Sequence, residues 1–175
     1  LCDLYCQSKQ LPLLTKEQVS AALVATSWPG RMEQISHQPR ILLDGAHNPH
    51  AMDRLTGTLN QHYPDLDKKI LFSCIQTKSL EEMVDQLKQV AKSQLILTSF
   101  ADPRSFSKEK MEALACEQGL NYADWQDFLE AYLKAEHRDD ELLLITGSLY
   151  FLAQIRAYII DKEKESRSEY GHEEN

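Results

Sequence analysis

Short apolar runs alternate along the chain with segments whose apolar residues recur at helical spacing, starting near residue 32. Alternating or continuous apolar runs of a few residues indicate strands, and continuous runs are typical of strands buried on both faces of a sheet. Three of the runs are continuous in this way. The pattern predicts strands at 32–36, 40–44, 69–74, 94–98, 120–123 and 141–146.

Helical segments separate these strands. The clearest covers residues 79–92, where Ser79 and Glu82 have the spacing of a capping box and apolar residues follow at helical spacing. Residues 107–117 and 125–135 show the same period. Repeated alternation of strand and helix is typical of α/β domains with right-handed crossovers. We therefore predict an α/β fold, a Rossmann-like, mainly parallel six-stranded sheet flanked by helices.

The two ends of the chain lack this regular alternation. Thr15 and Gln18 form a second capping box ahead of a short helix, and we expect residues 1–27 to be an arm rather than part of the core. The regular part runs over 28–162. Beyond it the sequence is charged and has almost no apolar residues, which predicts a disordered acidic tail over 163–175.

Composition narrows the classes of function. A chain of 175 residues with 42% hydrophobic and 26% charged residues has the values of one globular domain. Its net charge of -8 repels phosphate backbones, so we expect no nucleic-acid partner. No apolar run approaches the roughly 20 residues of a membrane span, so we expect no membrane partner. Four cysteines without Cys-x-x-Cys spacing indicate reduced thiols and a cytoplasmic protein.

Asp44 and His47 occupy the turn after the second predicted strand. Open α/β sheets bind ligands beyond the carboxyl ends of their strands, and Asn48 and Pro49 then suit the start of a helix whose free N–H groups attract anions. The structural alternative has Asp44 capping the turn and His47 bonded to a backbone carbonyl, and spacing alone does not separate the two. A metal site of Asp44, His47 and His50 is disfavoured because no fourth ligand is evident.

Arg31 follows Trp28, Pro29 and Gly30 just before the first strand. Proline stiffens the approach and glycine permits a sharp turn, so Arg31 projects from a constrained backbone. Arginine suits forked contacts with phosphate or carboxylate, whereas the plain alternative is an exposed arginine in a linker turn. Together, Arg31 and Asp44 suit a nucleotide, with the cation near the phosphates and the carboxylate on the ribose hydroxyls.

Thr146, Gly147 and Ser148 repeat the arrangement of strand, small-residue turn and helix, ahead of an apolar helical segment at 149–160. Ser148 suits the N-cap of that helix, and its functional alternative is to hold a substrate carboxylate. Arg104, which also follows a strand, is assigned to a loop turn. The sequence has no Gly-x4-Gly-Lys-Ser/Thr phosphate loop and no Gly-x-Gly-x-x-Gly motif. A nucleotide bound here would need another part to hold most of its phosphates and its magnesium.

Three motifs in a fixed order carry a family resemblance: WPGRMEQIS from residue 28, LLDGAHNPHAM from residue 42 and ITGSLYFLAQIR from residue 145. They resemble the C-terminal domain of folylpolyglutamate synthase, including its bifunctional dihydrofolate synthase form, within the Mur ligase superfamily. The resemblance covers residues 28 to about 160. It likens residues 1–27 to the end of the preceding central domain and the connector.

The resemblance implies an ATP- and Mg2+-dependent enzyme that activates the carboxylate of folate or dihydropteroate as an acyl phosphate. The amino group of L-glutamate then attacks, giving an amide, ADP and phosphate. The implied partner is the protein's own N-terminal ATPase domain, which holds the phosphate loop and most magnesium ligands, so the fragment alone is expected to be inactive.

Carried over by position, Arg31 and Asp44 resemble nucleotide-binding residues. His47 resembles a catalytic and substrate-binding residue, and Ser148 resembles a substrate-binding residue. No metal ligand is implied within this chain. Two other functions stay open, namely a Mur-type peptidoglycan amino-acid ligase domain and a free-standing α/β nucleotide-binding module.

Overall fold

The computed structural model describes residues 2–25, 28–77 and 79–170. Its helices are α1 (Cys2–Ser8), α2 (Lys16–Ala25), α3 (Pro49–His62), α4 (Leu80–Leu87), α5 (Lys108–Gln118), α6 (Trp125–Lys134) and α7 (Leu149–Tyr170). Its strands are β1 (Glu33–His37), β2 (Arg40–Asp44), β3 (Asp67–Ser73), β4 (Ser93–Leu97), β5 (Asn121–Tyr122) and β6 (Glu141–Gly147).

Six strands in the described part of the chain form one sheet in the order β1-β2-β6-β3-β4-β5. The hairpin of β1 and β2 is antiparallel, and every other neighbouring pair is parallel. The predicted α/β fold with a mainly parallel six-stranded sheet is confirmed. Because the last strand, β6, lies between β2 and β3, the fold places residues from the end of the sequence beside residues from its beginning.

Side chains alternate between the two faces of the sheet, and each face carries a core. One core joins the sheet to α3, α4 and α5, with Met52 and Met83 fully buried. The other joins it to α6 and α7, where Leu129 and Phe151 are fully buried. The continuous apolar runs predicted as doubly buried strands therefore lie in the middle layer of three.

Sequence signals for helix ends give mixed results. The Thr15–Gln18 capping box is confirmed, because each backbone N–H donates to the other side chain at 2.9 and 3.2 Å. The Ser79 cap is wrong, since the Ser79 side chain makes no capping hydrogen bond. The helix predicted to reach residue 92 ends at Leu87. Beyond the helix end, the Lys92 carbonyl accepts a hydrogen bond from the Lys68 N–H of β3 at 2.8 Å.

The predicted start of the tail at residue 163 falls inside the last helix of the structure. The helical backbone of α7 continues to Tyr170, and residues 171–175 lie outside the described residues. Glutamate, lysine and arginine are good helix formers, so a charged segment can extend a helix whose first turns are anchored in the core. Within residues 2–25, 28–77 and 79–170, none of the helices combines the length and apolarity that a membrane span requires.

Candidate functional site

The predicted site residues lie at the carboxyl edge of the sheet. Asp44 at the end of β2 pairs in register with Thr146 of β6, and Ser73 at the end of β3 pairs with Gly147. The Ser148 N–H donates to the Ser73 carbonyl at 3.0 Å. Three strand ends that are far apart in sequence therefore bring Asp44, Ser148 and the residues after β3 to one crevice, as expected for an open α/β sheet.

The turn around Arg31 is bonded to the turn after β2. The Arg31 N–H donates to the Trp28 carbonyl at 3.0 Å, which closes the first turn, and Gly30 has a φ of +70°. The Gly45 N–H donates to the Gly30 carbonyl at 2.7 Å, and Arg31 Nη1 donates to the Gly45 carbonyl at 2.9 Å. The remaining N–H donors of Arg31 have no partner among the described residues, and the side chain is exposed. The arginine is therefore anchored by one donor and can offer the others to an anion.

Asp44 is a buried carboxylate bonded to two backbone N–H groups. Its Oδ2 accepts from the Met32 N–H at 2.9 Å, and its Oδ1 accepts from the Ala46 N–H at 3.0 Å. Its residue exposure is 9%. The structural alternative considered from sequence, a turn-capping aspartate, is thus present in the structure. A nucleotide contact by Asp44 stays a prediction, and would use the second lone pair of each oxygen.

His47 is exposed, and one ring nitrogen is engaged. His47 Nδ1 lies 2.7 Å from the Gly45 carbonyl. A carbonyl only accepts hydrogen bonds, so Nδ1 carries the proton, and in the neutral imidazole Nε2 keeps its lone pair. The Asn48 side chain then caps α3 by accepting from the Ala51 N–H at 2.9 Å, as predicted. This cap fixes where the helix starts and therefore where His47 leaves the turn.

The disfavoured metal arrangement is not formed. His50 Nε2 accepts from Arg54 Nε at 3.2 Å along α3. Within the described ranges, no group of three histidine, cysteine, aspartate or glutamate side chains is placed to hold a metal ion. His50 is therefore not brought together with Asp44 and His47.

Ser148 is buried and begins α7 in the manner of an N-cap. Its carbonyl accepts from the Leu152 N–H at 3.0 Å, and its Oγ accepts from the Tyr150 N–H at 3.2 Å. Because Oγ acts as acceptor in that bond, its proton is free to be donated to a ligand. Gly147 before it has a φ of +117°, and a Cβ there would lie 1.9 Å from the Ser73 oxygen. Only glycine fits this turn, so the sequence Thr-Gly-Ser has a steric cause.

Thr146 places an unpaired hydroxyl at the same edge. Its Oγ1 is buried and has no hydrogen-bond partner in the part of the chain that the structure describes. A buried polar atom without a partner costs about 1–3 kcal/mol. Departures of this kind from good local chemistry concentrate at functional sites.

Three contacts that the sequence did not predict hold the site together. Glu33 accepts from the Gly30 N–H at 2.9 Å and from Arg156 Nε of α7 at 3.1 Å, so it ties the Arg31 turn to α7. Leu149 covers Gly45, where a Cβ would lie 2.4 Å from Leu149 Cδ2. Glu33 and Arg156 each stand inside a quoted motif, which is the one signal that could have pointed to them.

Arg104 forms the loop turn assigned from sequence and also reaches toward α7. Asp102 accepts from the Arg104 N–H at 2.8 Å and from two guanidinium nitrogens. The side-chain hydrogen bond from Arg104 lowers the pKa of Asp102 to about 2. The guanidinium carbon also lies 3.8 Å from the centroid of the Tyr150 ring. Tyr150 is exposed two residues after Ser148, so this stack lies at the carboxyl edge too.

Comparison with known proteins identifies the family. Residues 30–149 match the family described as Mur ligase, glutamate ligase domain. The chain is 31% identical over 144 residues to the dihydrofolate synthase/folylpolyglutamate synthase of Bacillus subtilis, covering 82% of this chain and 33% of that protein. The chain thus spans about a third of that relative's length. The family match extends over more than half of the chain, so the chain belongs to this family.

Solved structures share the fold. Escherichia coli FolC in complex with ADP has a TM-score of 0.72 at 21% identity, covering 93% of this chain and 38% of that one. The bifunctional folylpolyglutamate synthase/dihydrofolate synthase of Yersinia pestis, complexed with AMPPNP and a manganese ion, has a TM-score of 0.68 at 23% identity, covering 86% and 35%.

Proposed function

We propose that this chain, a member of the Mur ligase glutamate ligase domain family, is the C-terminal domain of an ATP-dependent folylpolyglutamate synthase. The complete enzyme joins the carboxylate of a folate, or of dihydropteroate, to the amino group of L-glutamate. Support comes from the relatives, which are dihydrofolate and folylpolyglutamate synthases, and from the ADP and AMPPNP complexes of the structural neighbours. The same relatives favour this function over a peptidoglycan ligase or a free-standing nucleotide-binding module.

One observation carries the proposal: the Gly45 carbonyl accepts hydrogen bonds from both Arg31 Nη1 and His47 Nδ1. A single backbone group thus fixes a cation and an imidazole beside the carboxylate of Asp44. This arrangement needs no ligand to assemble it, and preorganised charge is what stabilises charge that develops during a reaction. Phosphoryl and acyl transfer both develop negative charge on oxygen.

Each site residue then has a proposed role. Arg31 donates hydrogen bonds to the nucleotide phosphates from the guanidinium N–H groups that do not bond to Gly45. Asp44 contacts the nucleotide and holds the two turns together. Ser148 donates its hydroxyl to a carboxylate of the incoming L-glutamate, and His47 Nε2 faces its amino group.

The bond-forming step uses His47 as the base. The glutamate nitrogen attacks the acyl carbon, the carbon–oxygen bond to phosphate breaks, and the amine proton passes to His47 Nε2. Phosphate leaves with the bonding electron pair. Closure of this domain over the preceding one would exclude water, which otherwise hydrolyses an acyl phosphate.

Magnesium, when bound, supplies charge neutralisation for the phosphates. Among the described residues no three-ligand group is available, so we place its ligands in the preceding ATPase domain. That domain is also the proposed partner of an exposed apolar patch made of Trp28, Leu149 and Tyr150, which border the site turns and are 69%, 45% and 51% exposed. Patches of this kind mark interaction surfaces.

The test uses the complete enzyme with a folate, L-glutamate and ATP, and measures ADP release. His47→Gln keeps an N–H donor for the Gly45 carbonyl but has no basic nitrogen, so we expect kcat to fall by about 10²–10⁴-fold with the KM for ATP nearly unchanged. Arg31→Gln should mainly raise the KM for ATP. The matched control is His50→Gln, three residues away, whose ring bonds to Arg54 along α3. Wild-type turnover by His47→Gln would contradict the role of His47.

Substrate exchange separates the folate function from its alternatives. The complete enzyme should form amide products with folate or dihydropteroate and none with a peptidoglycan precursor. The isolated chain should release no ADP above a blank, because the phosphate-binding part of the proposed site belongs to another domain. Turnover by the isolated chain would refute the two-domain site.

A further inference from the structure

A polar cavity lies at the opposite, amino edge of the sheet. It has a volume of about 390 Å3, within the range of small-molecule sites, and is formed by the first residues of β3, β4 and β6 together with α6. Its charged lining consists of Lys68, Lys69, Lys92 and Arg138 on the basic side and Asp67 and Glu141 on the acidic side. A basic excess is notable in a chain with a net charge of -8.

Both acidic residues of the cavity are already paired. Asp67 Oδ2 accepts from Arg138 Nη2 at 2.6 Å. Glu141 Oε1 accepts from Arg138 Nε at 3.1 Å, and Glu141 Oε2 lies 3.1 Å from His137 Nδ1. Arg138 therefore offsets one of the two carboxylates, and the four basic and two acidic side chains leave the lining with a net charge of +2.

None of the three lysines forms a salt bridge within 4 Å among the described residues, and two of them donate to backbone carbonyls instead. Lys68 is 2% exposed, and its Nζ donates to the Leu66 and Ala91 carbonyls at 2.7 and 2.9 Å. An ammonium has three donors, so one N–H of this buried group has no hydrogen-bond acceptor among the described residues. Burial, and secondly the charge of Lys92, lowers the pKa of Lys68, against the smaller opposing effects of the Asp67 and Asp65 carboxylates.

The other two lysines, Lys69 and Lys92, are exposed and make few contacts. The Lys69 Nζ lies 5.5 Å from the centroid of the Tyr132 ring, and the Lys92 Nζ donates to the Asp65 carbonyl at 3.3 Å. Lysine presents a compact charge that suits phosphate, whereas forked recognition of a carboxylate needs a free arginine. Because Arg138 is occupied, a ligand here meets single lysine charges, and a phosphate chain with several negative charges gains more from them than one carboxylate does.

A nucleobase would not find a stacking surface here. The Tyr132 ring is buried, and the His137 ring packs against it at a centroid distance of 4.1 Å. We propose that this amino-edge cavity binds a phosphate chain, free or as the phosphate portion of a larger molecule, through Lys69 and Lys92. The proposal does not rest on the ligase function, because the cavity lies at the other end of the strands.

The experiment titrates inorganic tripolyphosphate into the 175-residue chain by calorimetry, with backbone amide NMR to locate the site. We expect the Lys69→Gln/Lys92→Gln double variant to bind about tenfold more weakly than wild type, since charge-assisted hydrogen bonds are lost. Lys110→Gln is the matched control, because Lys110 is an exposed lysine of α5 outside the cavity. It should bind within about twofold of wild type, as remote surface charges are screened. Amide shifts should centre on residues 67–69 and 92–94.

Three results would overturn the proposal: no saturable binding, equal weakening in the Lys110→Gln control, or loss of binding in Arg31→Gln with the lysine variants unaffected. The last result would place the anion at the carboxyl edge. A parallel titration with ATP distinguishes a free phosphate chain from the phosphate portion of a larger molecule. ATP binding that depends on the same lysines would identify the ligand as the phosphate portion of a nucleotide. The readout is binding rather than turnover, so its failure leaves the ligase proposal standing.

Discussion

The two edges of the sheet use polar side chains in different ways. At the carboxyl edge, Arg31, Asp44, His47 and Ser148 each bond to backbone N–H or carbonyl groups of neighbouring turns. At the amino edge, Arg138 instead meets the carboxylates of three acidic residues. The first edge has fixed turns, and the second has exposed charges that solvent can screen.

The two edges should therefore differ in how much their polar contacts contribute to stability. Hydrogen bonds to backbone groups position turns, and leaving a buried one unmade costs about 1–3 kcal/mol. Exposed ion pairs typically contribute about 0–1 kcal/mol and weaken with salt. The carboxyl edge should therefore tolerate little change, and the amino edge should tolerate much.

The largest effect is expected for Gly147→Ala. The new Cβ would overlap the Ser73 oxygen, a backbone atom held by the pairing of β3 with β6, and φ is +117°. We expect unfolding free energy to fall by at least about 3 kcal/mol, measured by urea unfolding of the chain.

Alanine substitutions at two other glycines serve as comparisons for Gly147→Ala. Gly119 has a φ of +65° and open space around its Cβ position, so Gly119→Ala should cost only the left-handed backbone, about 1–2 kcal/mol. Gly57 lies inside α3 with open space, and alanine there should stabilise by about 0.5–1 kcal/mol. Equal losses at positions 147 and 119 would show that the close approach to Ser73 is not what matters.

A smaller effect separates the two edges directly. Asp44→Asn replaces one acceptor oxygen with an amide, so either the Met32 or the Ala46 N–H loses its partner, at a cost of about 1–3 kcal/mol. Asp67→Asn changes an exposed partner of Arg138 at the amino edge, and should cost less than about 0.5 kcal/mol. Urea unfolding of both variants in low and high salt tests this, and equal costs would break the contrast between the edges.

The smallest effect concerns pH. The hydrogen bond from His137, and secondly that from Arg138, lowers the pKa of Glu141. A lowered folded-state pKa gives stability that is present above the unfolded value of about 4.3 and is lost as pH falls through the folded value. Wild-type stability should therefore fall slightly more steeply below about pH 4.3 than that of Glu141→Gln.

The control for that slope is Glu117→Gln, an exposed residue of α5 with no ion pair among the described residues. Its unfolding free energy, measured from pH 7 to pH 3, should follow wild type. A Glu141→Gln variant with the wild-type slope would show that the ion pairs at the amino edge carry no acid-sensitive stability.

Local patterns predicted much of this molecule because they report local energetics. Six strands, the Asn48 cap and the Thr15–Gln18 capping box were all predictable, since each depends on burial periodicity or on hydrogen bonds within a few residues. The Ser79 cap and the end of α4 were predicted wrongly. There the chain leaves the helix to reach β4. No glycine or proline marks this helix end in the sequence, because the end is set by the tertiary structure.

For the candidate site, too, some features were predictable from local sequence and others were not. The sequence by itself determined which residues stand at strand ends and helix starts, because strand and helix periods locate Asp44, His47 and Ser148 without any partner. Only the tertiary structure decided that Arg31 and His47 share the Gly45 carbonyl, that Glu33 reaches Arg156, and that β6 inserts beside β2. These contacts join residues distant in the chain, and their energies depend on packing that no local pattern records.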